Sequence, residues 1–170
     1  MMDDDRLPNM ADFRLLQSTD AEGAVALRRL ALTTDGYAFA ERFDSDPALN
    51  VDFVRERLAD SGFAAGAVVI GAFDPGLVGM VGLSEDSQEP SGAWLWGFYV
   101  APEYRRRGCG RSLLEHALTC ATEMTGVRRV QLSVSHRAVA AIRLYESAGF
   151  MTVDTLPDKR RMELLMTSER

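Results

Sequence analysis

A short basic turn, Arg105-Arg106-Arg107-Gly108-Cys109-Gly110, has the residue types of an anion-binding site. Its two glycines let the backbone turn tightly because they carry no Cβ. If a helix begins there, its first amide hydrogens have no partner within the helix and point the same way as the positive end of the helix dipole. Such a turn attracts phosphate, and arginine side chains suit phosphate oxygens. We therefore predict a pyrophosphate site formed by Arg105, Arg106, Arg107, Gly108, Cys109, Gly110 and Arg111.

Two common phosphate-binding motifs do not match this turn. A P-loop has two glycines five positions apart, followed by Lys and then Ser or Thr, and the chain lacks this pattern. The dinucleotide fingerprint needs a third glycine where this chain has Leu113. Nucleotide hydrolysis by a P-loop and binding of a dinucleotide are therefore not expected.

The turn lies between a predicted strand and a predicted helix. Residues 94–100 are rich in aromatic and β-branched side chains, which favours a strand, and Pro102 ends it because proline has no amide hydrogen for a sheet. Residues 111–124 place Leu114, Ala117 and later apolar residues three and four positions apart, which predicts one face of a helix. The turn is thus expected at the start of a helix, where free amide hydrogens can bind an anion.

Two motifs resemble those of one enzyme family. Arg105-x-x-Gly108-x-Gly110 is similar to the Arg/Gln-x-x-Gly-x-Gly/Ala signature of the GCN5-related N-acetyltransferase (GNAT) superfamily. Residues 140–150, Ala-Ala-Ile-Arg-Leu-Tyr-Glu-Ser-Ala-Gly-Phe, resemble the family's helix that passes the thiol of the cofactor and carries a tyrosine. The resemblance implies acetyl-CoA as the acetyl donor and no metal.

The strand before the turn is where the resemblance places the acetyl group. It implies that pantetheine pairs with Phe98, Tyr99 and Val100 as an added strand, and that main-chain amides of Phe98 and Val100 hold the acetyl oxygen. The alternative is that Trp94, Trp96, Phe98 and Val100 only alternate across a buried strand. Both can hold, since the side chains can serve the core while the backbone serves the ligand.

The second motif makes Tyr145 the candidate general acid. A phenol with a pKa of about 10 can pass a proton to a departing thiolate whose pKa is about 8.5. The alternative is a core tyrosine on the apolar face of its helix.

The general base is not evident from the sequence. Many members of the family carry a glutamate on the fourth strand, and this strand has no carboxylate. Glu85, at the end of the preceding strand, is the first substitute that we consider. Glu41, His136 and a chain of water molecules are the alternatives.

The resemblance implies an N-acetyltransferase that moves an acetyl group from acetyl-CoA to a primary amine by direct attack. The acceptor would be a small-molecule amine or a peptide or protein amine, held in a partly apolar cleft at the irregular segment between Tyr37 and Asp46. The acidic chain favours a cationic acceptor. One alternative is a non-catalytic acyl-CoA-binding sensor or scaffold domain, and another is a structural homodimer with a vestigial pocket.

Composition limits the partners. The chain has 170 residues with 19 basic and 25 acidic side chains, a net charge of −6, so binding to nucleic acid is not expected. No apolar run approaches the roughly 20 residues of a membrane span. The acidic N-terminus is unlike a signal peptide, which favours a cytoplasmic protein. The two cysteines and two histidines lack the spacing of metal ligands.

The expected fold is α/β, with a mixed central sheet of about seven strands and four helices. The resemblance implies the order β-α-α-β-β-β-α-β-α-β-β for a single acetyltransferase domain over residues 13–168. Residues 1–12 are expected to form a disordered leader. Thr19 and Glu22 would form a capping box before a first helix that buries Ala24, Leu27, Leu30 and Ala31.

Overall fold

The computed structural model describes residues 11–39 and 45–167. The elements follow the predicted order. The strands are β1 (Asp12–Leu15), β2 (Ala67–Asp74), β3 (Gly76–Glu85), β4 (Gly92–Val100), β5 (Arg129–Ser135), β6 (Met151–Thr155) and β7 (Lys159–Leu165). The helices are α1 (Ala21–Asp35), α2 (Val51–Ala59), α3 (Cys109–Glu123) and α4 (Val139–Ser147).

The seven strands form one mixed sheet in the order β1-β2-β3-β4-β5-β7-β6. Neighbouring strands are antiparallel, except for β4 and β5, which run parallel. A parallel pair needs a crossover, and α3 provides it. The predicted α/β class and mixed sheet are confirmed.

Helices cover both faces of the sheet. On one face α3 buries Leu113 and Leu114 against Val81 and Leu83 of β3, within the largest cluster of buried apolar residues. On the other face α1 and α2 contribute two smaller clusters that include Leu16, Ala24 and Leu58, and Leu27 with Tyr99.

The start of α1 differs from the prediction. Thr19 lies within a short 3-10 turn, Ser18–Asp20, and α1 begins after it. The carboxylate of Asp20 accepts from the Gln17 N–H at 2.8 Å and pairs with Arg14 at 2.7 Å, and this bond to Arg14 lowers the pKa of Asp20. Gln17 and Asp20 thus form a capping box around the 3-10 turn, in place of the predicted pair Thr19 and Glu22.

The buried face of α1 includes Ala24, Leu27 and Ala31 as predicted, but it leaves out Leu30. Leu30 is 39% exposed, whereas Val25 and Leu32 are buried. Because α1 contacts both β3 and α2, its buried face is wider than the predicted one and extends to Val25 and Leu32.

Some predictions fall on residues 1–10, 40–44 and 168–170, which lie outside the described residues. They include most of the predicted leader and one candidate base, Glu41. Asp12, which was included in the predicted leader, begins β1 and pairs with Phe73. Between residues 11 and 39 and between 45 and 167, we find no helix with the length and apolarity to cross a membrane.

Candidate active site

A bulge near the end of β4 decides which way its side chains face. Trp96 pairs with Gly82 and Tyr99 pairs with Met80, so two residues of β4 oppose the single residue Val81. The bulge contains Gly97, whose φ of +60° is a left-handed conformation that suits glycine. The extra residue shifts the alternation by one position.

The bulge places the aromatic side chains of β4 on opposite faces. Trp96 lies over Gly82 on the α1 face. Phe98 faces α4, and its ring centre lies 6.0 Å from that of Tyr145. The alternative in which Trp94, Trp96, Phe98 and Val100 share one face is therefore wrong, because a simple alternation cannot pass through a bulge.

The backbone of β4 is open along one edge beyond the bulge. Parallel pairing with β5 joins only Gly92–Trp94 to Arg129–Gln131. The Ala101 N–H donates to Val78 O at 2.8 Å, toward β3. Successive amides of a strand point in opposite directions. The Val100 N–H therefore faces the other edge of β4, where β5 no longer pairs with it. An extended ligand could pair there.

The basic turn forms the start of α3 with two residues in the left-handed conformation. Arg106 has a φ of +62° and Gly108, the N-cap of α3, has a φ of +79°. Left-handed residues in such a turn direct successive N–H groups toward one concave side that can bind an anion. A Cβ added to Gly108 would meet no atom within 4 Å, so open space lies before the backbone.

The side chains around this turn divide into two groups. Arg106, Arg107 and Arg111 are exposed, and among residues 11–39 and 45–167 none of them has an acidic partner. Arg105 instead donates from Nη2 to Asp35 at 2.7 Å and from Nε to Val100 O at 2.9 Å. The three consecutive arginines are therefore not equivalent.

The two residues after Gly108 pack against the core. The Cys109 side chain is buried, and burial raises the pKa of its thiol, which keeps it in the unreactive protonated form. Gly110 lies close to α4 and β4, since a Cβ there would meet Leu144 at 3.6 Å and Phe98 at 3.8 Å. The Cys109 side chain thus packs in the core and Gly110 lets α4 and β4 come close, while the backbone of both residues forms the first turn of α3.

Tyr145 lies on α4 beneath the open end of β4. Its side chain is 5% exposed and packs against Phe98 and Phe150, with ring centres 6.0 and 5.7 Å away. Burial raises the pKa of its phenol well above the usual value, because the charged form loses its hydration. The phenol therefore stays neutral. A thiolate formed in the same apolar surroundings would be destabilised for the same reason, so its affinity for a proton would rise as well.

A cleft of about 970 Å³ opens on the α1 face, where β4 and β5 separate. Aromatic rings form much of its apolar side, and its polar side comes from α1, from the end of β5 and from the residues around the start of β7. The aromatic residues are Tyr37, Phe39, Trp94 and Trp96, and the polar and charged ones are Arg28, Ser133, Ser135, His136, Arg137, Asp158 and Lys159.

The candidate bases occupy different places. Glu85 lies at the far end of β3, pairs with Ala93 and packs across Gly66, where an added Cβ would lie 2.7 Å from Oε2. It is not among the residues that line the cleft. His136 lines the cleft, and its Nε2 lies 2.7 Å from the carbonyl of Leu156. Because a carbonyl only accepts, Nε2 is the nitrogen that carries the proton in the neutral ring, and Nδ1 then has the lone pair.

Several basic residues of the cleft were not singled out by the sequence. Arg28 pairs with buried Asp46 at 2.6 Å and lies 4.4 Å from the centre of the Phe39 ring. Arg137 lies 4.3 Å from the centre of the Tyr37 ring. The position of Arg137, two residues after the end of β5, is the feature of the sequence that could have identified it. Within the described ranges, no cluster of His, Cys, Asp and Glu could hold a metal ion.

The chain matches a family model over residues 28–150, that of the acetyltransferase (GNAT) family. It is similar to the Escherichia coli K12 [ribosomal protein bS18]-alanine N-acetyltransferase, with 47% identity over 58 residues. That segment covers 34% of this chain and 38% of the E. coli protein. The chain therefore aligns with well under half the length of this curated relative.

Solved structures resemble almost the whole chain. A GNAT-family acetyltransferase from Streptococcus pneumoniae superposes with a TM-score of 0.79 at 25% identity, covering 92% of this chain and 99% of that one. The PaiA N-acetyltransferase of Thermoplasma acidophilum, solved with coenzyme A, gives a TM-score of 0.76 at 22% identity, covering 91% and 98%. The open edge of β4, the glycine turn and the family match agree, and the chain belongs to the acetyltransferase (GNAT) family.

Proposed function

We propose that this protein is an N-acetyltransferase that moves an acetyl group from acetyl-CoA to a primary amine by direct attack. The observation that carries this proposal is the separation of β4 from β5 beyond Trp94, directly before the glycine turn. It leaves an unpaired strand edge that continues into an anion-binding helix start, which suits a long ligand with an extended arm and a pyrophosphate.

Residues around the turn fit such a donor. Space lies open before Gly108, and the first turn of α3 carries no acidic side chain that would repel phosphate. Arg106, Arg107 and Arg111 would balance its negative charge, and Phe98, Tyr99 and Val100 would pair with its arm. Acetyl-CoA supplies the reactive thioester when it is bound.

The Val100 N–H and the Tyr145 hydroxyl are the groups that would assist the transfer. An N–H held rigidly at an open strand edge can donate to a carbonyl oxygen as that oxygen gains negative charge. Tyr145, kept neutral by burial, can donate its proton to the departing sulfur. Both groups belong to rigid elements, so neither needs to reorganise during the reaction.

His136 is the group that we propose as general base in place of Glu85. It lines the cleft, and the Leu156 carbonyl holds its Nε2–H so that Nδ1 can accept a proton. An amine must lose its proton before it attacks, and imidazole is the side chain suited to that exchange near neutral pH. Glu85 would have to act through water, because it lies outside the lining of the cleft.

The acceptor would enter over the aromatic side of the cleft. The E. coli relative is named for the alanine of a ribosomal protein. A peptide or protein N-terminus is therefore one acceptor class that we propose, and a small-molecule amine is the other. A cytoplasmic location, a homodimer and a single domain over residues 13–168 stay predictions.

A screen of amines with acetyl-CoA, monitored for free thiol, tests the proposal. The panel should hold alanine-terminated peptides, single amino acids and polyamines, and the expected result is amine-dependent release of thiol. Binding of acetyl-CoA by calorimetry without thiol release from any amine would favour the non-catalytic sensor or scaffold instead. No binding at all would contradict both functions.

A further inference from the structure

Arg105 is turned away from the predicted phosphate site. Its Nε donates to the carbonyl of Val100 at 2.9 Å, and its Nη2 donates to Oδ2 of Asp35 at 2.7 Å. The guanidinium carbon lies 5.3 Å from the centre of the Tyr99 ring. Because a guanidinium holds its donors in a fixed plane, these contacts set the direction of the side chain. Arg105 thus connects the end of β4 with the end of α1.

Asp35 is the last residue of α1, where an acidic side chain is disfavoured by the negative end of the helix dipole. The cation of Arg105 offsets this unfavourable interaction. The preceding residue is held by the same strand, because Thr34 Oγ1 and the Tyr99 hydroxyl share a hydrogen bond of 2.6 Å. Two consecutive residues at the end of α1 are therefore attached to the end of β4.

The segment after α1 forms the aromatic wall of the cleft. Gly36–Ala38 is a 3-10 turn, and both Tyr37 and Phe39 line the cleft. The direction in which the chain leaves α1 decides where these two rings lie. That direction is fixed at Asp35, which is two residues before Tyr37 and four before Phe39.

We propose that Arg105, acting through Asp35, is a positioning residue for the acceptor and not a ligand of the coenzyme. This inference rests on the proposed acetyltransferase function, in which the cleft holds the amine. The two side chains are 41% and 22% exposed, and a pair exposed to that degree adds little to the stability of the whole fold. Its loss should therefore act locally, on residues 36–39.

The test is Asp35→Ala in the full chain, with an alanine-terminated hexapeptide as acceptor probe. We expect KM for the peptide to rise about fivefold while kcat stays within about twofold. The Kd of coenzyme A, measured by calorimetry, should stay within about twofold of the parent value. Amide hydrogen exchange at residues 36–39 should become about tenfold faster, because the segment opens more easily. Adding Arg105→Gln should raise the peptide KM no further, since both substitutions break one interaction.

The control is Asp60→Ala, which removes an exposed carboxylate at the end of α2 and should change none of these values. Unchanged hydrogen exchange at residues 36–39 would overturn the proposal, as would an affinity for coenzyme A that falls about tenfold in Arg105→Gln with the peptide KM unchanged. A parent protein that acetylates no amine would instead contradict the proposed function. The exchange and calorimetry measurements would still decide the role of Arg105.

Discussion

The indole of Trp96 lies directly over Gly82 of the neighbouring strand, so closely that a Cβ at Gly82 would collide with the ring. Trp96 is 48% exposed and lines the cleft. Because Gly82 has no side chain, the Trp96 ring can lie against the sheet at this position. The position of this ring helps to define the predicted acceptor site.

Gly82→Ala should displace the Trp96 ring and change the selection of the amine. A collision that forces a large side chain to move costs about 1–3 kcal/mol, and a half-exposed indole can move at the lower end of that range. We expect KM values across an amine panel to change, with the affinity for acetyl-CoA unaltered. The control is Gly76→Ala, since a Cβ there meets nothing within 4 Å. An unchanged amine profile in Gly82→Ala would show that Trp96 does not contact the acceptor.

Gly108→Val should abolish binding of acetyl-CoA. The side chain would fill the open space before the turn, and a β-branched residue is strained at a φ of +79°. We expect the Kd measured by calorimetry to rise by about two orders of magnitude, as loss of a backbone phosphate site removes several hydrogen bonds to charged oxygens. Gly126→Val is a matched control, because Gly126 has a φ of +81°, also has open space, and lies beyond the other end of α3. If Gly108→Val and Gly126→Val lost the same affinity for acetyl-CoA, the cause would be backbone strain and not a blocked phosphate site.

Tyr145→Phe should slow turnover and leave binding of acetyl-CoA nearly unchanged, because it removes one hydroxyl and keeps the ring. Loss of a positioned general acid lowers kcat by roughly 10²–10⁴, equivalent to about 3–5 kcal/mol of transition-state stabilisation. The comparison should be made at high pH with saturating amine, where deprotonation of the amine no longer limits the rate. If Tyr145→Phe turned over at the parent rate under these conditions, Tyr145 would be a packing residue and not the general acid.

The raised pKa of Tyr145 also predicts how stability depends on pH. The unfolded phenol loses its proton near pH 10, roughly the usual pKa of tyrosine, whereas the folded one keeps it. Above that pH the native state binds more protons than the unfolded state, so the free energy of unfolding must decrease as the pH rises. Melting temperatures between about pH 8 and 11 should therefore fall more steeply for the parent than for Tyr145→Phe. Tyr37→Phe, which removes the hydroxyl of an exposed ring, is the control. Identical slopes in parent and Tyr145→Phe would mean that burial does not shift this phenol.

His136→Gln should lower turnover more than Glu85→Gln. Loss of a general base costs roughly 10²–10⁴ in rate, and the deficit should shrink as the pH approaches the pKa of the amine, about 10 for a lysine-like group. Rates measured across pH with the same amine give this comparison. If Glu85→Gln lowered turnover more than His136→Gln, Glu85 would be the general base and not His136.

Patterns within short stretches were enough to predict the turn, its helix and the family. The spacing of Leu114 and Ala117 follows the period of a helix, and Gly108 takes a left-handed φ that glycine favours in any fold. The Asp74-Pro75-Gly76 turn between β2 and β3 was likewise predictable, because proline and glycine restrict the backbone locally. These features depend on neighbours in the chain, so the sequence by itself determined them.

Only the tertiary structure decided which side chains face the cleft. The bulge at Gly97 reverses the facing of Phe98, and nothing in the alternation of β4 indicates a register shift against β3. The partner of Arg105 lies 70 positions away in the chain, so its direction follows from how α1 packs beside β4. Glu85 was the first candidate base from the sequence, and only the placement of the ends of β3 and β5 shows that His136 lines the cleft and Glu85 does not. Contacts between residues distant in the chain depend on packing and register, which short-range patterns do not encode.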